Sequence, residues 1–110
     1  MFGMKPEVPA IDVATLAGER QGRENLQIID VREREEWQEG HLSDAMHLPL
    51  SELTTRLPEI DRARPVVFVC RSGARSAKAT ELLVARGFTD VRNLTGGLIA
   101  WSQAGYPMVK

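Results

Sequence analysis

VVFVCRSGARSAKATELLVARG, residues 66–87, joins an apolar run to a helical pattern through a short basic loop. Val66, Val67, Phe68 and Val69 are all β-branched or aromatic, which is how a strand covered on both faces reads. Further on, Ala79, Leu82, Leu83 and Arg86 recur at i, i+3, i+4 and i+7 on one helical face, and Gly87 suits the position just past the helix end. A buried strand feeding an amphipathic helix is the repeating unit of an α/β fold with a mainly parallel sheet. Cys70, the only cysteine in the chain, stands at the junction.

The same alternation extends outward. Gln27-Ile28-Ile29-Asp30-Val31 is a second buried strand, Val91-Arg92-Asn93-Leu94 a third, Ala45-Met46-His47-Leu48 a fourth that Pro49 stops, and Ala10-Ile11 a short edge strand. Asp12 caps a helix that runs through Leu16 and ends before Gly22, and Glu33 to Gln38 form a short acidic helix stopped by Gly40. Ser51 and Glu52 open a helical turn carrying Leu53 and Leu57 and closed by Pro58, and a last helix spans Leu98 to Ala104 between Gly96-Gly97 and Gly105. At 110 residues, with no repeat, linker or low-complexity tract, the chain reads as one domain over residues 9–110 behind a short extension, residues 1–8. Five strands with helices on both faces are expected.

Composition narrows the function. A net charge of −1 argues against general binding to nucleic acid or membrane surfaces, and no apolar run approaches the roughly 20 residues of a membrane span. One cysteine excludes an intrachain disulfide, and the chain opens without a basic segment leading into an apolar one, so a reducing, cytoplasmic setting is expected. His41, His47 and Cys70 are too few soft ligands for a zinc site, and no metal or cofactor is expected.

Cys70 falls at the C-terminal end of a central strand, the edge at which open α/β sheets bind ligands. The loop Arg71-Ser72-Gly73-Ala74-Arg75 then enters a helix N-terminus, where free backbone N–H groups and the helix dipole favour an anion. Gly73 lets that loop curl so that its amides converge. Arg71 and Arg75 add positive charge, and spacing leaves open which of them faces inward. A field that binds an anion also stabilises a thiolate, which makes Cys70 a candidate nucleophile.

Cys70-Arg71-Ser72-Gly73-Ala74-Arg75-Ser76 resembles the active-site loop of the rhodanese-like sulfurtransferases. Upstream, Ile29-Asp30-Val31-Arg32, Glu36-Trp37, Gly40-His41-Leu42-Ser43-Asp44-Ala45 and Leu48-Pro49 resemble that family's flanking motifs, with Trp37 where Phe is frequent and Asp44 where Gly is frequent. Leu94-Thr95-Gly96-Gly97, Ala100-Trp101 and Ala104-Gly105-Tyr106-Pro107 resemble its C-terminal motif. The resemblance implies a single rhodanese-like fold and a Cys70 persulfide. The persulfide would be charged by a small anionic donor such as thiosulfate, or by a persulfide, and discharged to cyanide or to an external thiol, including that of a protein. It implies substrate contacts from Arg71, Ser72, Gly73, Ala74 and Arg75.

Asp30 and Arg32 read as a structural tie between loops, since charges at strand ends are usually paired, and His41 as a loop-fixing hydrogen bonder. Gly96-Gly97 lacks dinucleotide-binding spacing and is expected to let the last helix approach the cysteine loop. Trp37 and Trp101 read as packing residues. Two other functions fit less well or less simply. Phosphatases with a related fold and loop place more residues between cysteine and arginine than the four found here, which makes phosphatase or arsenate reductase chemistry the poorer fit, and a sulfur-relay or protein-binding module would use the same thiol to serve a partner.

Overall fold

The computed structural model describes residues 8–23 and 25–110. The N-terminal extension read at residues 1–8 lies outside that range for all but its last residue. Five strands, β1 (Ala10–Ile11), β2 (Gln27–Asp30), β3 (Ala45–His47), β4 (Val66–Val69) and β5 (Val91–Leu94), form one sheet in the order β1-β5-β4-β2-β3. Every neighbouring pair is parallel. The sheet is therefore wholly rather than mainly parallel, and an antiparallel bridge outside the strands joins His41 to Val109. The helices are α1 (Val13–Gly22), α2 (Arg34–Glu39), α3 (Ala74–Ala85) and α4 (Gly97–Gln103), with 3-10 turns at Leu50–Glu52 and Leu57–Glu59.

Alternation along β4 divides the core. Val66, Phe68 and, one step beyond the strand, Cys70 pack with Ala79 and Leu83 of α3 and with Leu53, Ile60 and Phe88. Val67 and Val69 pack with Leu16 of α1 and with Leu98 and Trp101 of α4. All four strand residues are buried, so neither face of β4 sees solvent, as the unbroken apolar run requires. Helices thus cover both faces, and burying the ring of Trp101 together with Leu16 and Leu98 supplies several kcal/mol of apolar transfer, about 2 per large side chain.

Local boundaries follow from capping. The Asp12 side chain accepts from the Thr15 amide at the start of α1, and that helix includes Gly22 rather than stopping short of it. Glu33 and Glu36 form a reciprocal capping box at α2, which runs one residue beyond the sequence reading, to Glu39. Pro58 does not close the turn that begins near Ser51. It sits in the first turn of the second 3-10 segment, where its missing N–H has no partner to lose. On α3 the buried face runs through Ser76, Ala79, Thr80 and Leu83, whereas Arg86 is exposed because the helix ends at Ala85.

From β2 the chain moves outward to β3, and from β4 it moves the other way to β5. The switch point therefore lies between β2 and β4, and the segments leaving their C-terminal ends, Val31-Arg32 and Cys70-Arg71, flank it.

Candidate active site

Cys70 is fully buried beneath the N-terminus of α3. Gly73 takes a left-handed conformation, φ 101°, as the N-cap of α3 and turns its amide back onto Cys70 Sγ at 3.1 Å. The Ser76 amide donates to the same sulfur at 3.4 Å and the Ser76 hydroxyl at 3.2 Å. Burial pushes the Cys70 thiol up, but the Ser76 hydroxyl, the Ser76 amide and the amides of Gly73 and Ser72 outweigh it and bring the thiol below its ordinary value. Sulfur thus receives several donors, while the Cys70, Arg71 and Gly73 carbonyls have partners elsewhere.

That division of labour comes from α4. Its first free amides, on Leu98 and Ile99, donate to the Cys70 carbonyl at 2.8 Å and the Arg71 carbonyl at 3.0 Å. The Gly73 carbonyl accepts from the Ala77 amide and from Asn93 Nδ2. With these three carbonyls held by other donors, the Ser72 and Gly73 amides are left to act on the sulfur. Such an approach needs Gly97, where a Cβ would stand 2.5 Å from both the Cys70 and the Arg71 carbonyl oxygens. The double glycine therefore brings the last helix against the cysteine loop.

Ser76 also donates to Asn93 Oδ1, and its hydroxyl carries a single proton for two acceptors. If that proton reaches sulfur, Ser76→Ala should move thiolate formation to higher pH by about one pH unit, the worth of one hydrogen bond to a charged acceptor. Ultraviolet thiolate absorbance measured against pH checks this. An unchanged titration would mean that the hydroxyl serves Asn93 alone.

Arg75 makes no hydrogen bond to the sulfur, although the two are close enough to attract: its guanidinium makes a two-pronged ion pair with Glu36 of α2, at 2.7 and 2.8 Å. Arg75 holds the Glu36 carboxyl down to about 2, well below the usual carboxylate range. The stabilisation from this pair is present above that usual range and is lost as pH falls toward the lowered value. Arg71 is exposed and makes no side-chain hydrogen bond or ion pair among the described residues. It lines a cleft of about 370 Å³ with Arg32, Gly40, Ile99 and Met108. Ser72 and Ala74 are exposed on the loop's outer side, although the Ser72 amide still acts on sulfur.

Asp30 and Arg32 form a buried pair, with Arg32 Nη2 to Asp30 Oδ2 at 2.8 Å. Arg32 further donates to the Glu36 and Gly40 carbonyls and so ties α2 to the end of β2. Neither residue bonds to Cys70. His41 Nδ1 lies 2.9 Å from the Trp37 carbonyl, and its ring stacks on Trp37 at 3.6 Å, while His47 stacks less closely at 4.9 Å. Trp37 thereby fixes two imidazoles, and Trp101 lies wholly in the core.

Ser76, Asn93 and Glu36 enter this site without having been assigned to it from sequence. Ser76 carried a usable signal, a hydroxyl in the first turn of the helix that follows the thiol. Asn93 carried none, and Glu36 only its place in the Glu36-Trp37 motif, which names no partner, because their partners lie 17 and 39 residues away.

Fold and site together define an α/β domain that presents one buried, amide-lined thiol at the C-terminal edge of its sheet. The chain belongs to the rhodanese-like domain family, whose sequence profile matches residues 13–104. It is 39% identical over 102 residues to a sulfurtransferase of Allochromatium vinosum, covering 93% of this chain and 95% of that protein. It is 36% identical to the thiosulfate sulfurtransferase GlpE of Shewanella oneidensis, over 73% of this chain and 79% of that one. Among solved structures, a rhodanese-related protein from Thermoplasma volcanium superposes with a TM-score of 0.84 at 30% identity, covering 92% of this chain and 97% of that one.

Proposed function

We propose that the chain is a sulfurtransferase that carries sulfane sulfur on Cys70. The observation that carries this reading is the convergence of the Gly73 and Ser76 amides and the Ser76 hydroxyl on one buried sulfur. With thiosulfate, the Cys70 thiolate attacks the outer sulfur, the S–S bond breaks with its electron pair on the departing sulfite, and a negative persulfide remains. The inward amides stabilise that charge. A thiolate or cyanide then takes the outer sulfur and returns the Cys70 thiolate. The acceptor comes from outside, since the chain has no second cysteine. A thiol that must stay reduced to act suits a reducing, cytoplasmic setting.

Mass spectrometry of the intact protein after incubation with thiosulfate tests the reading. One added sulfur, lost on treatment with reductant and mapped to Cys70, is the expected result. An unmodified protein with both thiosulfate and a persulfide donor, or hydrolysis of a phosphate ester at this site, would replace it.

A protein acceptor is a second reading, and the surface favours it. Ile99 is 41% and Met108 37% exposed, and both line the cleft that Arg71 enters. Val109, 43% exposed, adjoins it through its backbone pairing with His41. Large exposed aliphatic side chains gathered beside a reactive loop are what a docking protein would cover.

A further inference from the structure

Resting on the sulfurtransferase reading, we propose that Glu36 selects the charge of the sulfur donor: by holding Arg75 in a neutral pair, it suits the site to hydropersulfides, RSSH, rather than to the thiosulfate dianion. The pair is built on both sides. Glu36 Oε1 accepts from the Glu33 amide as well as from Arg75, so the capping box of α2 fixes the carboxylate. Arg32 holds the Glu36 carbonyl, which pins the backbone beneath it. Both terminal nitrogens of Arg75 are occupied, and Glu33 adds a second negative charge nearby.

What remains at the sulfur is a set of neutral donors: amides that solvate a single anionic sulfur without supplying net charge. Arg71, next in the chain to Cys70, is exposed to solvent that weakens its field. Thiosulfate brings two negative charges to a site whose second arginine is already neutralised. A hydropersulfide reacts in its uncharged form: the Cys70 thiolate attacks the terminal sulfur of RSSH, the S–S bond breaks, RS⁻ departs with the electron pair, and the transferred sulfur keeps its proton until it passes to water and leaves the persulfide anion. Only the first donor gains from an extra cation.

The experiment is a charge cycle on the intact chain: wild type, Glu36→Gln, Arg75→Gln and the double variant. The second-order rate of Cys70 persulfide formation is read by mass spectrometry with thiosulfate and with an alkyl hydropersulfide. Glutamine at position 36 keeps an oxygen for the Glu33 amide, so the start of α2 survives. Releasing one positive charge should raise the thiosulfate rate about fivefold and change the hydropersulfide rate less than twofold, as expected for a dianion some 7 Å away in a largely aqueous field. Arg75→Gln, which leaves Glu36 unpaired, should lower the thiosulfate rate by a similar factor. The double variant should return the ratio of the two rates to that of wild type, and added salt should draw all four ratios together. Equal thiosulfate losses in Arg75→Gln and the double variant would overturn the proposal, because Arg75 would then hold the donor directly. Parallel changes for both donors would overturn it as well. Failure of both donors to add sulfur to the wild-type protein would instead overturn the sulfurtransferase reading beneath it.

Discussion

Cys70→Ser should abolish persulfide formation, with a loss of at least about a thousandfold, while the protein stays folded. A hydroxyl fills nearly the same space as the thiol, but it is not ionised at neutral pH and has no polarisable sulfur with which to attack a sulfane. The amides that lower the thiol's pKa cannot bring an alcohol into range, since each hydrogen bond shifts a pKa by about one unit. The fold should tolerate the change because the serine hydroxyl inherits the donors of Gly73 and Ser76. Intact-protein mass spectrometry with thiosulfate and hydropersulfide, alongside a thermal melt, gives the answer. A folded variant that still gains sulfur would place the carrier elsewhere.

Gly97→Ala should be the most destabilising of the conservative substitutions near the site. Its Cβ would stand 2.5 Å from two backbone carbonyl oxygens, on residues 70 and 71, and neither can rotate away as a side chain could. It also carries a positive φ of 60°, a conformation that alanine adopts at a cost of about 1 kcal/mol. Together these effects should cost about 3 kcal/mol and lower the melting temperature by roughly 10 °C or more. Gly105→Ala is the matched control, with φ 85° and nothing within 4 Å of its Cβ. It should show the backbone cost alone. Similar melting temperatures for the two variants would remove close approach as the reason for glycine at position 97.

The central strands were legible as short runs rich in β-branched and apolar residues, the outer ones more weakly. Val66 to Val69 is buried at every position, and even the two-residue β1 matches its reading. Helix identities were legible from periodicity and caps, with Asp12 as the clearest case. The turns around Pro58 were not, because a proline can end one helical segment or begin another, and tertiary packing decides between them. At the site, a strand-to-helix junction announces the thiol and its glycine. The partner of Arg75 was illegible: a basic loop reads as free charge until the fold brings Glu36 across from α2. Asn93 was hidden for a similar reason. In sequence it is one polar residue in a weak strand, and only the register of β5 beside β4 sets it next to Ser76 and Gly73.

The clasp of α4 on the Cys70 and Arg71 carbonyls also orders events in time. A chain emerging from the ribosome exposes Cys70 well before Leu98 and Ile99, whose amides hold the loop in shape. Until they arrive, the Cys70 and Arg71 carbonyls lack those partners and are free to turn inward. The loop is thus locked in shape only when α4 docks, and a nascent chain stalled before that helix would carry its thiol in an unclasped loop.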